Sequence, residues 1–570
     1  MWLRKILTVG IVALLASTTL SPNLNAVADS ATTFTEYDRS WLPSDINDVT
    51  TDTTRYIVDD AFVEGGLSGG GSNLSTQTKN PLPTNPNNFD QLYCASYQDK
   101  NCASLDISFF SFLPVCKAIN SPECIVSLRV GPNGNDEELQ FKKYLDFQGP
   151  IDLTMLGKNS WGTENLALHR INDFESDPSR DLPPGSRVSL WQSKTAPENS
   201  KSYYAIAVMK KGTASVGKKA EIESFQISVI PVIEKAADHP FAPTLVSVRD
   251  VDGHVGVGGI GGSWWSNSCL YRLYGTCYVR AEFPENIVMT LTANLSSSVT
   301  GWLHGRIGKP LIDIKSIGER TNQVTISGEP AKIPMETQDF ESSSLPKDLR
   351  SDRPDWYQTN DKWLGTWNLF ADGSFRLDWF EKLLPFLDNQ ADAATSVWSL
   401  RSVVPRDLHP CLKSSTQLMG LVTTNAMMYS GEAPKFDDGF LSYRVAGLHK
   451  GPKDEIWRGS YDLVMRSESA RCLYQFSTAP VSATIQVVNS GGENQVSTTT
   501  LTEKNGWLRL GAYNFTFSSP TIKVKLTQEV QKKSTTPLGL KQTTIKCVKG
   551  KQVKSITSAK PVCPKGFKKK

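Results

Sequence analysis

Two strand-like segments decide the fold: residues 203–209 (YYAIAVM) and residues 222–232 (IESFQISVIPV). Both are rich in the β-branched and aromatic residues that favour strands. Similar short runs recur along the chain between turn clusters such as 131–134 (GPNG) and 183–185 (PPG). This pattern predicts a mainly β protein, built of several disulfide-tied antiparallel β-sandwich or jelly-roll-like domains.

One segment has the periodicity of a helix instead. Between residues 375 and 390, apolar side chains recur at steps of three and four from Leu377 to Leu387. That spacing predicts one short helical segment with an apolar stripe. Pro385 lies inside the stripe, so we expect the helix either to kink there or to end early.

The chain of 570 residues is long enough for several hydrophobic cores. Shifts in composition predict its organisation. The predicted units are a signal peptide (1–28), a flexible lead-in rich in Gly, Pro and Ser (29–85), a β-rich domain (86–240), a β-rich domain with the helical segment (241–394), a C-terminal β-sandwich (395–531) and a Lys-rich tail with a disulfide-closed hairpin (532–570).

The N-terminus predicts export. Arg4 and Lys5 precede an apolar run at residues 6–15, and the small residues 26–28 (AVA) suit a cleavage site. An uncleaved membrane anchor is the competing interpretation, but the run is shorter than the roughly 20 residues of a spanning helix. We therefore expect a secreted or extracellular protein, with no transmembrane span in the mature chain.

Ten cysteines, all within the mature part, agree with export, because an even number of cysteines in an exported chain favours disulfides. Three pairs share a spacing of seven intervening residues. The predicted pairs are Cys94–Cys102, Cys116–Cys124, Cys269–Cys277, Cys411–Cys472 and Cys547–Cys563. Metal binding is the competing interpretation; it is disfavoured because the chain has no C-x-x-C motif and its six histidines are dispersed. We predict no metal and no cofactor.

Charge is distributed unevenly, although 61 Lys and Arg against 58 Asp and Glu give a net charge of only +3. Residues 532–570 contain twelve lysines and no acidic residue, so residues 29–531 carry a charge of −11. The tail therefore predicts binding to an anionic envelope polymer or a membrane surface. The candidate residues are Lys546, Lys549, Lys551, Lys554, Lys565, Lys568, Lys569 and Lys570.

Other roles for the tail compete with attachment. A lysine-rich end also serves as a solubilising segment, and the opposite charges permit the tail to fold back on its own body. Binding to a nucleic acid is disfavoured, because the protein is predicted to be exported and the tail has no interleaved aromatic pattern.

Several runs in the C-terminal third carry a resemblance. They are residues 470–477 (ARCLYQFS), 505–508 (NGWL), 515–526 (FTFSSPTIKVKL) and 545–551 (IKCVKGK). Residues 395–570 thereby resemble a group of exported proteins of aquatic actinobacteria. The resemblance implies a secreted or envelope-associated protein whose Lys-rich tail is a reused module. It carries over no catalytic residue, since that group has no assigned activity.

Motifs typical of enzymes occur here without the context that they need. Residues 66–70 (GLSGG) match a nucleophile elbow and residues 256–261 (GVGGIG) a dinucleotide loop, but neither is followed by a predicted helix. We interpret both as glycine-rich loops. Residues 250–253 (DVDG) favour a polar turn over a surface calcium site, because the position of the twelfth EF-hand ligand is Gly261.

Acidic and aromatic clusters are the remaining candidates for chemistry. The acids Glu336, Asp339 and Glu341 lie in a polar context, and we interpret them as a solvated turn. Trp264 and Trp265 are a candidate platform for stacking a sugar ring, with core packing as the competing interpretation.

These observations favour a non-enzymatic protein of the cell envelope, used for surface display or binding. The alternative is a secreted glycan-active hydrolase or a carbohydrate-binding protein. A hydrolase predicts a concave site with convergent acids and perturbed carboxyl pKa values, whereas a binding module predicts only the aromatic platform.

Overall fold

The structure is a computed structural model. The part of the chain that it describes comprises residues 34–38, 40, 53–58, 71–79, 89–94, 96–132, 137–145, 173–236, 247–249, 255–257, 269–273, 276–296, 299–341, 344, 346, 364–366, 375–402, 408–477, 481–488, 494–495, 498–517, 521–528, 543–558 and 560–570. The predicted signal peptide lies outside these residues.

Strands dominate the described part. Those of the first half are β1 (Thr53–Val58), β2 (Asn73–Lys79), β3 (Phe89–Tyr93), β4 (Ile107–Phe112), β5 (Cys124–Gly131), β6 (Glu137–Glu138), β7 (Gln140–Tyr144), β8 (Ser189–Gln192), β9 (Ser202–Ala214), β10 (Glu221–Ala236), β11 (Ser247–Arg249), β12 (Val255–Val257), β13 (Cys269–Leu273), β14 (Thr276–Arg280) and β15 (Val288–Ser296). Those of the second half are β16 (Gly301–Ser316), β17 (Thr321–Glu341), β18 (Leu364–Thr366), β19 (Ala393–Ser402), β20 (Leu418–Thr424), β21 (Met428–Tyr429), β22 (Lys435–Asp437), β23 (Phe440–Ala446), β24 (Gly459–Arg466), β25 (Val481–Val488), β26 (Asn494–Gln495), β27 (Thr498–Lys504), β28 (Trp507–Phe515), β29 (Thr521–Gln528), β30 (Thr543–Lys549), β31 (Gln552–Ser558) and β32 (Lys568–Lys569).

The predicted fold class is confirmed: the protein is mainly β, and its strand pairs are mostly antiparallel. The two strand-like segments at residues 203–209 and 222–232 form the hairpin β9–β10, in which Val208 pairs with Ile227. Among the described strands two pairs are parallel, β1 with β18 and β16 with β20, which the sequence did not indicate.

A central sheet runs in the order β4–β9–β10–β19–β16–β20–β24–β28–β27. A first flanking sheet contains β6, β5, β15, β17 and the second half of β16. A second flanking sheet contains β21, β22, β23, β29, β25 and β26. Strand β16 thus belongs to two sheets, because it changes partners near Ile307.

The central sheet separates two hydrophobic cores. On β24, Tyr461, Leu463 and Met465 face one core and Val464 faces the other, as the two-residue period of a strand requires. The core of Val464 is shared with β5, β9, β10, β15 and β17, and the opposite core with β23, β25 and β29. The described sheets are therefore layered as in a sandwich, with apolar side chains on both faces of the middle layer.

The helices differ in part from the prediction. In the predicted segment, an α-helix, α2 (Phe375–Leu383), continues as a single 3₁₀ turn, Leu384–Phe386. The α-helix ends at Leu383, before Pro385, so the alternative in which the helix ends early is the right one. The predicted helical segment is therefore confirmed, and the described part contains two further helices that the sequence did not indicate, α1 (Lys100–Ala103) and α3 (Ser467–Tyr474).

Helix α3 forms because its apolar face packs into the core that also contains Tyr461. Ala470 and Leu473 are buried there, Arg471 pairs with Glu503 on β27 at 2.9 Å, and Cys472 is tied to the 3₁₀ turn Pro410–Leu412 by a disulfide. With eight residues, it is too short for helical periodicity to stand out in the sequence.

Four disulfides join predicted partners: Cys94–Cys102, Cys116–Cys124, Cys411–Cys472 and Cys547–Cys563. Cys277 is also disulfide-bonded. The side chain of Cys269 lies outside the described residues, so the fifth pair stays a prediction.

Hydrogen-bonded strands cross the predicted domain boundaries. Strand β5 lies before the predicted boundary at residue 240 and pairs with β15, which lies after it. Strand β10 also lies before this boundary and pairs with β14 and β19 beyond it. The predicted boundary at residue 395 falls within β19 itself. The domain division stays a prediction, and strands on both sides of each of these boundaries share sheets.

A buried ion pair joins the central sheet to the first flanking sheet. Lys210 of β9 is fully buried, and its Nζ donates to Glu123 Oε1 at 2.8 Å and to Ser296 Oγ at 3.0 Å. The backbone N–H of Ser296, at the end of β15, donates to the same carboxylate oxygen at 3.1 Å. The two layers therefore meet on a buried, hydrogen-bonded pair of charges.

Removing one partner of this pair should be strongly destabilising. Lys210→Met leaves the Glu123 carboxylate buried without its cation, and we expect the free energy of unfolding to fall by about 3–5 kcal/mol. The matched control is Lys309→Met, because Lys309 is exposed and its partner Glu329 is only partly buried; there we expect a loss of less than about 1 kcal/mol. Urea denaturation measures both losses, and equal losses would contradict a structural role for the buried pair.

Candidate functional site

The predicted Lys-rich tail folds as a small three-stranded sheet. Strands β30 and β31 pair antiparallel from Thr543↔Ser558 to Lys549↔Gln552, as the predicted hairpin requires. The turn between them contains Gly550 with a φ of 59°, in the left-handed region that favours glycine. The short strand β32, which the sequence did not indicate, pairs with the other edge of β30. We call residues 543–570 the basic sheet.

A disulfide supplies most of the constraint on the basic sheet. Cys547 is fully buried and Ile545 is nearly so, which is a small core for 28 residues. The Cys547–Cys563 bond closes a loop of 16 residues, a length for which chain entropy predicts about 3 kcal/mol of stabilisation. The lysines are therefore displayed on a stapled sheet.

All eight candidate lysines, together with Lys560, are exposed. Neighbouring strand residues point to opposite faces and paired residues share a face. Lys546 and Lys568 consequently lie on one face, and Lys554 and Lys569 on the other. The positive charge thus surrounds the basic sheet instead of forming a single stripe.

These charges are not neutralised within the described part of the chain, where none of the nine lysines forms an ion pair. One of them has an aromatic neighbour: Lys554 Nζ lies 5.2 Å from the centre of the Phe567 ring. A bare cationic surface of this kind attracts polyanions from several directions.

A second candidate site is a cleft with a volume of about 490 Å³, which we call the acidic cleft. All of its lining residues but Ala391 are polar or charged. It is formed by Glu336, Thr337, Gln338, Asp388, Asn389, Gln390, Ala391, Asp392 and Lys450.

Backbone hydrogen bonds hold the walls of the acidic cleft together. The N–H of Asp392 donates to the carbonyl of Met335 at 3.0 Å, and the N–H of Ala391 donates to the carbonyl of Lys450 at 3.0 Å. The N–H of Asp388 donates to Gln338 Oε1 at 2.9 Å. The segment that precedes β19 is thereby fixed against β17, and its acids are fixed with it.

Glu336 lies where β17 changes partners. Met335 is the last residue of β17 that pairs with β19, and Glu336 is the first that pairs with β1. Its side chain is only 4% exposed, and its Oε2 has no hydrogen-bond partner. Burial, together with the negative charges of Asp392 and Asp388, raises the pKa of Glu336 to about 9. Glu336 is therefore protonated at neutral pH.

The other charges leave the acidic cleft negative. Asp392 Oδ2 accepts from the N–H of Thr337 at 2.6 Å; burial raises the pKa of Asp392, and this hydrogen bond opposes the rise. Lys450 is the one cation among the lining residues, and its Nζ pairs with Asp454 at 2.6 Å. The arrangement suits a positively charged or hydrogen-bonding ligand.

The interpretation of Glu336, Asp339 and Glu341 as a solvated turn is wrong. All three lie on β17, where Asp339 and Glu341 are exposed and Glu336 is buried. The apolar residues just before Glu336 were the signal that the strand continues; Ile333 and Met335 are fully buried.

Other predicted features lie outside the described residues. They include Trp264 and Trp265, the glycine-rich loop 66–70 and residues 250–253, so the sugar-stacking platform stays a prediction. Among the described residues, no group of three or more His, Cys, Asp and Glu side chains is placed to hold a metal ion. No described helix has the length and apolar character needed to cross a membrane.

Comparisons with protein-family models, with curated proteins and with solved structures return no match.

The raised pKa of Glu336 predicts how stability depends on pH. Between the ordinary pKa of 4.5 and the folded-state pKa of about 9, the folded protein retains a proton that the unfolded chain loses. The contribution of Glu336 to stability is thus full below pH 4.5 and is lost as pH rises through this window. Relative to the parent chain, Glu336→Gln should gain up to about 1.4 kcal/mol of stability per pH unit there.

Urea denaturation between pH 5 and pH 9 measures this difference. Glu341→Gln is the matched control, because Glu341 lies exposed on the same strand. Parallel stability profiles for the parent, Glu336→Gln and Glu341→Gln would rule out a raised pKa at Glu336.

Proposed function

We propose that this protein is a secreted, non-enzymatic protein of the cell envelope, for surface display or binding, which its basic sheet attaches to anionic envelope polymers or lipid headgroups. The observation that carries the proposal is the stapled sheet at residues 543–570, which exposes nine lysines without an ion-pair partner in the described part of the chain.

The location outside the cytoplasm rests on the predicted signal peptide and on the disulfides. Disulfides persist in oxidising compartments and are rare in the cytosol. Four of them join residues from 94 to 563, so they are spread over most of the chain. The resemblance of residues 395–570 to exported actinobacterial proteins points the same way.

The nature of the partner follows from the charge. Attraction of a lysine to an anionic surface contributes about 1 kcal/mol when the lysine lies within a Debye length. Lysines on both faces of the basic sheet cannot all meet one flat surface, but a flexible polyanion can follow both faces. Phosphate-bearing or carboxylate-bearing polymers are therefore the partners that the geometry favours.

A second candidate function, a glycan-active hydrolase or carbohydrate-binding protein, is favoured by one observation. The acidic cleft contains a carboxyl with a raised pKa, Glu336, beside further acids, as an acid–base pair requires. No aromatic side chain is among the cleft residues that the structure describes, so a sugar ring has no stacking surface there. We therefore place this candidate second.

The attachment proposal predicts a strong effect of the terminal lysines. Replacing Lys568, Lys569 and Lys570 with Gln should weaken binding to vesicles of anionic phosphatidylglycerol, at low salt, on the order of tenfold, because Lys568 and Lys569 lie on opposite faces and cannot both meet a flat surface. Body lysines that are equally exposed, Lys194, Lys218 and Lys413, give the matched triple control, for which we expect almost no change.

Co-sedimentation of the mature chain measures this, with a soluble polyphosphate as competitor and neutral phosphatidylcholine vesicles as the blank. Competition by polyphosphate shows that a polymer shares the lipid-binding surface. Undiminished binding of a chain that lacks residues 532–570 would contradict the attachment proposal.

A further inference from the structure

The acidic cleft contains a feature that the proposed attachment does not use. The Oε2 atom of Glu336 is buried and has no donor, and the buried hydroxyl of Thr337 also lacks a partner. Native proteins keep few such atoms, because water that is lost on burial must be replaced by another hydrogen bond. Both residues line the acidic cleft, so a ligand bound there would lie beside side chains whose hydrogen-bonding capacity is not fully used in the described part of the chain.

The charge of the cleft decides the sign of the charge that this ligand carries. Glu336, Asp388 and Asp392 contribute three carboxyl groups, whereas Lys450 is already paired with Asp454. Asn389 adds a side-chain amide, although its Oδ1 already accepts from the N–H of His449 at 2.8 Å. An anion would meet repulsion here, and an apolar group would leave the polar walls without water.

The volume of the cleft and the spacing of its acidic residues argue against a bare metal ion. A volume of about 490 Å³ is within the range of sites for small organic molecules. Within the described part of the chain, the acids are not clustered closely enough to surround a metal. An organic cation suits a cleft of this size better than a bare ion, because its ammonium group donates hydrogen bonds while its carbon stem fills the remaining volume.

We propose that the acidic cleft binds a primary ammonium group of an organic ligand, which the carboxyl groups of Glu336, Asp388 and Asp392 attract. Two sources carry this chemistry: a small amine, and a lysine side chain of the Lys-rich tail of this same chain. The proposal does not depend on attachment of the tail to the envelope.

Ligand binding should be linked to a proton. The titratable or charged groups around Glu336 in the described residues are Asp388 and Asp392 on the segment before β19, Lys450 on the facing loop, and Asp339 farther along β17. An ammonium beside Glu336 favours its ionised form, so binding releases a proton below pH 9. A nonspecific surface ion pair would release none.

The test is isothermal titration calorimetry of the mature chain with Nα-acetyl-lysine N-methylamide. The matched probe is the same compound acetylated at Nε, which has the same stem without the charge. We expect the charged probe to bind at least about tenfold more tightly than the acetylated one. Titration in buffers of different ionisation enthalpy should show a released proton.

Variants of the cleft residues test whether the probe binds in the acidic cleft. Glu336→Gln should weaken binding of the charged probe by about tenfold and abolish proton release, whereas the control Glu341→Gln should leave both unchanged. Asp392→Asn is the second variant, since its amide oxygen still accepts from the N–H of Thr337 and so keeps the local fold. Circular dichroism checks folding of each variant.

Deleting residues 532–570 separates the two sources. If a tail lysine occupies the cleft, the deletion raises the affinity for the probe; if the ligand is a small amine, the affinity stays the same. Three results would overturn the proposal: equal binding of both probes, equal binding by Glu336→Gln and Glu341→Gln, or displacement of the probe by stoichiometric Ca²⁺, which would indicate a metal site.

Discussion

Every strand must find hydrogen-bond partners for its backbone along its edges, and here the longest strands find them in distant parts of the chain. Strand β17 spans 21 residues and pairs in turn with β15 and β16, with β19 and with β1. Strand β16 likewise divides its length between the central sheet and the first flanking sheet. The layered sheets, the two cores and the acidic cleft all depend on these changes of partner.

The acidic cleft exists because of one such change. Where β17 leaves β19 for β1, the segment before β19 turns away and its acids come to face Glu336. A carboxyl that would be solvated on a turn is instead enclosed at a junction of strands, and its pKa rises for that reason. The same junction leaves its Oε2 without a donor. A cation bound in the cleft would offset the negative charge of the acids that line it.

Much of the fold could be predicted because the signals were local. The segments 203–209 and 222–232 carry enough strand-forming residues to identify β9 and β10, and equal cysteine spacing identified two of the short disulfide loops that the structure describes. The candidate lysines of the basic sheet followed from composition alone.

The acidic cleft could not be predicted, because Glu336 and Lys450 are 114 positions apart and meet only through sheet pairing. Helix α3 was missed because tertiary contacts, not periodicity, specify its eight residues.

The proposed function depends on segregation of charge. Residues 29–531 carry a charge of −11, and we propose that the stapled basic sheet joined to them holds the protein at the cell envelope. The most direct measurement is a salt-wash series on cells that produce either the full chain or a chain ending at residue 531. The account predicts that the shortened chain is released already at low salt, while the full chain is released only as rising ionic strength screens its lysines. Equal release of both chains at every salt concentration would contradict it.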